Sequence, residues 1–150
     1  MPIQMLRREQ RLHRPREAVF AFFADPRNLE AVTPPLLRFR VVTPEPIVMG
    51  AGTLIRYRLR VHGVSLSWLT EITRWEPPYA FVDEQREGPY ALWHHTHTFQ
   101  ADGDDTIMRD VVRYRIGFGP LGALAHALTV RRDLERIFDY RAERFAGAGS

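Results

Sequence analysis

From Thr53 to Ile116 the chain is written in period-two segments separated by turns. In Thr53 to His62, Ile55, Tyr57, Leu59 and Val61 share one parity, and Arg56, Arg58 and Arg60 the other. Successive side chains of a strand point to opposite faces, so the pattern predicts a strand buried on one side and solvated on the other. Ser65 to Trp75 repeats it with Leu66, Trp68, Thr70 and Ile72 inward. Thr106 to Ile116 repeats it, with Met108, Asp110, Val112 and Tyr114 set against Arg109, Val111, Arg113 and Arg115. Tyr79 to Arg86 and Tyr90 to Gln100 complete the run. His62-Gly63-Val64, Glu76-Pro77-Pro78, Glu87-Gly88-Pro89 and Ala101-Asp102-Gly103-Asp104-Asp105 are the breaks between them. Strands joined by connections this short pair antiparallel.

The flanks read differently. Residues 3–12 alternate weakly and form a first strand. Pro15 opens a helix through Phe23, with Glu17 in its first turn. Asp25-Pro26 starts a second short helix to about Ala31, capped by Asp25, and Thr33-Pro34-Pro35 ends it. Leu37 to Val42 is a short strand. Gly119-Pro120 opens a long helix to about Phe145, with Leu121, Leu124, Leu128, Leu134, Phe138, Ala142 and Phe145 at helical spacing. The element order is therefore strand, two short helices, six strands, one long helix. That is an α+β chain, and its 150 residues suit a single domain spanning 1–150. One helix cannot fill the concave face of a strongly curved sheet, so a gap is expected between them.

Trp93-His94-His95-Thr96-His97-Thr98-Phe99 is the strand whose inner face departs from plain core chemistry. Trp93, His95, His97 and Phe99 share one face, large rings with polar edges where Val, Ile or Leu would be ordinary. On the next strand, across the 101–105 loop, Asp110 falls opposite either His95 or His97; the loop leaves both registers open. On the strand before, Asp83 and Gln85 share the parity of Phe81, which puts Asp83 near Trp93. The cluster has four readings. It orients a ligand's polar end, or it is an internal network that braces the strands. Alternatively His95, His97 and Asp110 supply a general base with an orienting carboxylate, or the group binds a metal. Metal ranks last, because two histidines at i, i+2 make only part of a site and no second motif completes it. No metal and no cofactor is expected.

Three further features bear on a site. Arg131 falls among Leu124, Leu128, Leu134 and Phe138 on the helical wheel, on the apolar face. There a guanidinium must snorkel, pair with Asp83 or Asp110, or meet an anionic ligand. Tyr57, Trp68, Trp93 and Tyr114 are candidate cavity walls, since buried Trp and Tyr want a polar partner; Phe81 and Phe99 are plain core. Arg56, Arg58, Arg60, Arg109, Arg113 and Arg115, joined by Arg38 and Arg40, stripe the outer face. The stripe reads as a solvated sheet face with cross-strand pairs, Arg56 opposite Glu71, rather than as a contact for RNA or an acidic membrane. His13, His62, His94 and His126 fall on loops, outer faces or a helix flank.

Composition narrows the function. Cysteine is absent, which excludes disulfides, thiolate metal sites and cysteine nucleophiles. Basic residues are all arginine, and the net charge of +3 is too small and too spread for a nucleic-acid partner to be expected. No stretch has the length and apolarity to span a bilayer, so no stable membrane insertion is expected, and the N-terminus lacks a signal-peptide apolar run. The expected location is the cytoplasm. No nucleophile elbow, zinc-protease helix or dinucleotide fingerprint occurs.

Pro15-Arg16-Glu17-Ala18-Val19-Phe20-Ala21-Phe22-Phe23, Asn28-Leu29, Thr33-Pro34-Pro35, Gly52-Thr53, Trp75-Glu76-Pro77-Pro78, Phe81-Val82-Asp83-Glu84-Gln85 and the C-terminal helix resemble the START-like (SRPBCC) superfamily over nearly the whole chain. Gly88-Pro89-Tyr90 followed by Trp93, His95, His97 and Phe99 resembles its uncharacterised bacterial ligand-binding, polyketide-cyclase-like branch. The resemblance implies a helix-grip fold. A curved antiparallel sheet of about seven strands wraps a long C-terminal helix, and two short helices lie between strands 1 and 2. That superfamily includes lipid carriers, polyketide cyclases, hormone receptors and oxygenase domains, so the fold alone does not select an activity.

The expected function is binding or carriage of a hydrophobic small molecule, a lipid or polycyclic aromatic, between sheet and helix. Its contacts would come from Tyr57, Trp68, Asp83, Gln85, Trp93, His95, His97, Asp110, Tyr114 and Arg131. The alternative is a polyketide cyclase/dehydratase-like enzyme moving protons through a His–Asp pair in the same cavity. A weaker third is a protein- or RNA-contacting module using the outer arginines.

Overall fold

The computed structural model describes residues 3–61, 63–116 and 131–148. His62, the expected helix opening at Gly119-Pro120, Leu121, Leu124, His126 and Leu128 lie outside the described residues, as does the side chain of Phe145. Seven strands form one sheet: β1 (Gln4–Leu12), β2 (Arg40–Val41), β3 (Leu54–Val61), β4 (Val64–Glu76), β5 (Ala80–Glu87), β6 (Leu92–Asp102) and β7 (Asp105–Arg115). Helices α1 (Arg16–Phe23) and α2 (Pro26–Val32) lie between β1 and β2, and α3 (Arg131–Ala148) follows β7. The sheet order is β1-β7-β6-β5-β4-β3-β2, every pair antiparallel. This is the α+β helix-grip arrangement. No helix among the described residues is long and apolar enough to cross a membrane.

Local chemistry accounts for the elements. Asp25 caps α2, its carboxylate accepting from the Arg27 backbone N–H at 3.0 Å. Gly103, at φ 61°, takes the left-handed conformation of a two-residue hairpin loop, so β6 and β7 pair without a slip from Asp102↔Asp105 to Leu92↔Arg115. Register shifts in β4, between Leu69 and Thr70 and between Ile72 and Arg74, add local bend and twist to the sheet.

Three expectations change. Leu37–Val42 is mostly not strand: Pro35–Leu37 is a 3-10 turn that Arg38 closes at φ 47°, leaving only Arg40 and Val41 to pair. Arg56 faces Leu69 rather than Glu71. The β3–β4 ladder closes at Val61↔Val64, and that shorter loop moves every partner by two. Asp83 lies directly opposite His95, two residues along β6 from Trp93.

Two apolar clusters fill the concave side. One joins α1 to the sheet: Phe20 meets Trp75, Phe81 and Phe99 edge-on at 5.3, 5.7 and 5.2 Å. Burying a phenylalanine of this kind contributes roughly 1.5–3 kcal/mol, and each edge contact about 0.5–1.5 more. The other joins α3 to the opposite end, through Leu6, Trp93, Val112, Tyr114, Ile116, Leu134 and Phe138. His95 and His97 sit where the two meet. His97 stacks on Phe81 at 4.0 Å, and His95 packs against Phe138 at 5.5 Å.

Candidate functional site

A cavity of about 690 Å³ lies between the sheet, α3 and the segment from Phe23 to Phe39. Its walls are largely apolar. Tyr57, Trp68 and Trp93 line it, with Leu134, Ile137 and Phe138 facing them from α3. Trp68 and Trp93 meet edge to face at 5.1 Å, and the Trp68 indole N–H donates to Thr70 Oγ1 at 3.2 Å. Phe81, expected as plain core, is also part of the wall.

The polar end is built from the inward positions of three strands and one helix position. Backbone register sets Asp83 opposite His95 and His97 opposite Asp110. The short side-chain contacts run the other way, along the diagonals. His97 Nε2 lies 2.6 Å from Asp83 Oδ2, and His95 Nε2 lies 2.8 Å from Asp110 Oδ1. Diagonal neighbours on a sheet face are within reach of side chains this long. The two imidazoles stack at 3.6 Å with an interplanar angle of 24°. His97 Nδ1 stands 3.4 Å from Asp110 Oδ1, without hydrogen-bond geometry. Asp110, in turn, accepts from Arg141 of α3.

Charge inside this cluster is decided by its partners. Burial alone would push Asp110 up, but Arg141, His95 and His97 together hold it well below the usual carboxylate range. Burial likewise opposes ionisation of Asp83, and His95 and His97 outweigh it, so Asp83 is also lowered. The histidines diverge. Burial, reinforced by His97, lowers the His95 pKa. Burial opposes a charge on His97 too, but its contacts with Asp110 and Asp83 prevail and raise it. The stacked rings are thus driven apart in basicity, His97 up and His95 down.

Of the residues expected at the site, Tyr57, Trp68, Asp83, Trp93, His95 and His97 line the cavity. Asp110 lies behind the histidines, 2% exposed. Tyr114 is wholly buried beneath Trp93 and Tyr90. Gln85 is spent on the backbone: its amide donates to the Tyr90 carbonyl at 2.7 Å and accepts from the Tyr90 N–H at 3.0 Å, clamping the β5–β6 turn.

Arg131 is the main correction. It is exposed, pairs with Glu135 at 3.4 Å and does not line the cavity. The helix contributes Arg141 instead. Arg141 comes seven residues after Leu134 and three after Phe138, on the same stripe, so spacing alone marks it. A stripe continued to Ala142 passes it over. Arg141 is placed over the sheet interior, and Arg131 is near the edge strand. Asp83, His95 and His97 each offer a ligand atom within 4.8 Å of the others, which is the nearest approach to a metal-type donor set among the described residues.

A curved antiparallel sheet gripping a C-terminal helix over an apolar cavity with a buried polar end defines the class: a START-like, helix-grip protein. The family match is more particular. Residues 12–138 match the family described as polyketide cyclase/dehydrase and lipid transport, and the chain belongs to that family. No curated protein matches the sequence. Solved structures share the fold. A protein of Thermus thermophilus is 22% identical at a TM-score of 0.74, covering 98% of this chain and 100% of its own. The Zhui aromatase/cyclase of a Streptomyces species is 14% identical at 0.78, covering 99% and 94%. A START superfamily protein of Mycobacterium smegmatis is 10% identical at 0.70, covering 97% and 96%.

Proposed function

We propose that this chain binds a hydrophobic small molecule, of lipid or polycyclic-aromatic size, with its body among Tyr57, Trp68 and Trp93 and its polar group at Asp83, His95 and His97. The observation that carries this reading is an apolar cavity of about 690 Å³ with a buried ionic cluster at one end. That volume falls in the range of small-molecule sites, roughly 300–1,000 Å³. Family membership, whose description couples cyclases with lipid transport, supports it.

Native mass spectrometry of freshly purified protein, followed by melting curves against a panel of lipids and polycyclic aromatics, tests it. A retained hydrophobic mass or a ligand-dependent rise in Tm is expected. An empty protein that no panel member stabilises would sink the reading.

A cyclase-like activity is the second reading. It is favoured by the His97–Asp83 pair, whose 2.6 Å contact lies on the cavity wall within reach of a bound molecule. His97→Gln should then cut turnover of a linear polyketone far more than it weakens its binding. Equal turnover in His97→Gln and wild type removes this reading.

A further inference from the structure

The polar end of the cavity is rich in acceptors and poor in free charge. Asp110 is acceptor-only when ionised, so the 2.8 Å contact makes His95 Nε2 the donor. The neutral His95 ring then presents Nδ1 as a lone pair. Asp83 Oδ2 lies 3.9 Å from that Nδ1, too far for a hydrogen bond between them. His97 spends its Nε2–H on Asp83. The two acceptors therefore stand side by side with unused capacity. Among the cluster's side chains Asp83 is the most open, 18% exposed against 7% for each histidine and 2% for Asp110.

Of the arginines that line the cavity, Arg38, Arg60, Arg136 and Arg141, it is Arg141 that joins this cluster, and its charge is already matched. It donates to Asp110, while its guanidinium lies over the Phe138 ring at 4.6 Å and the Phe23 ring at 5.3 Å. Asp110 already holds Arg141 and Asp83 already holds His97 Nε2, so the cluster offers no unmatched cation. A ligand carboxylate would bring a third negative group beside Asp83 and face two acceptors. A hydroxyl would donate its one proton to Asp83 Oδ2 or to His95 Nδ1 at no charge cost.

We infer that the cavity selects ligands ending in a hydrogen-bond-donating hydroxyl, a phenol, enol or alcohol, and rejects ligands ending in a carboxylate, with Asp83 and His95 as the specificity-determining pair. This rests on the binding reading above and sharpens it: the cargo is a hydroxylated ring system or a lipid alcohol, not a free fatty acid.

Three fluorescent probes with one body separate the possibilities: pyrene, hydroxypyrene and pyrenecarboxylate, titrated into the full chain at neutral pH. Hydroxypyrene should bind about tenfold or more tighter than pyrenecarboxylate, the worth of one hydrogen bond to a charged group. Asp83→Asn should collapse that ratio by raising carboxylate affinity, and circular dichroism checks that the variant is folded. Should the variant fail to fold, the wild-type ratio alone decides. Equal or tighter binding of pyrenecarboxylate overturns the inference while leaving the binding reading intact, and its loss in Arg141→Met would show that Arg141 is the anion partner. Failure of all three probes, pyrene included, counts against the binding reading itself.

Discussion

Arg109 and Asp110 are consecutive residues of β7 and point to opposite faces of the sheet. On the outer face Arg109 reaches Glu9 at 3.2 Å and Gln100 at 2.7 Å, with Arg109 and Glu9 side chains 46% and 60% exposed. On the inner face Asp110 accepts from Arg141 and His95, with Asp110 and Arg141 side chains 2% and 11% exposed. The chemistry is the same and the solvent is not. The outer pair is screened by water and salt, so it stabilises by a few tenths of a kcal/mol. The inner set has given up hydration, so each member depends on the others. The outer face carries further exposed pairs, Arg86–Glu71 at 2.8 Å and Arg74–Glu76 at 2.7 Å. These keep an arginine-rich surface paired without shaping the interior.

The contrast is easiest to break at Asp110. Asp110→Asn leaves Arg141 buried without a counter-charge and should cost about 3–5 kcal/mol, read as a drop in the urea midpoint. A loss under about 1 kcal/mol would mean that the inner set is solvated like the outer. Arg141→Met keeps the aliphatic packing on Phe138 and should cost about 3 kcal/mol, since the histidines still face Asp110. Combining Arg141→Met with Asp110→Leu should cost about 1–3 kcal/mol less than the two singles together, because neither charge is then orphaned.

The histidines give a pH signature. His97 has a raised pKa, so its contribution to stability is full below the unfolded value of about 6.5 and fades as pH rises through the folded value. His95 has a lowered pKa, so it opposes folding increasingly as pH falls below about 6.5. Ring-proton NMR titration should therefore show the two residues on opposite sides of that value. Coincident titration would contradict the cluster's asymmetry. The smallest effect belongs outside: Arg109→Ser should shift stability by no more than about 0.5 kcal/mol, and about 1 M NaCl should erase even that while leaving the Asp110→Asn loss in place.

Much of this is legible in local pattern. Parity alone places Ile55, Tyr57, Trp68, Thr70, His95, His97 and Asp110 on the inner face, because alternation is a property of the strand itself. The capped start of α2 and the Gly103 hairpin follow from side-chain chemistry within a few residues. Register is harder to read. A wider loop around Gly63 would set Arg56 against Glu71, and a ladder closing at Val61↔Val64 puts Leu69 there instead. The partner of Asp83 is likewise a matter of register, which sets it opposite His95. Gln85 has the right parity, but the tight β5–β6 connection claims its amide for the backbone of Tyr90.

For the Trp93–Phe99 strand, its own residues determined that two aromatic rings and two imidazoles would share one face. Period two is encoded in the order of the side chains and needs no partner. Which groups those imidazoles would meet was settled only by the folded chain. Strand pairing put Asp83 and Asp110 on either side, and side-chain length let the contacts run diagonally. Docking α3 then set Arg141, rather than Arg131, against Asp110. Helical spacing says which residues share a stripe; how far along the helix the sheet covers that stripe is a tertiary fact. It decides which arginine becomes part of the buried cluster and which remains on the surface.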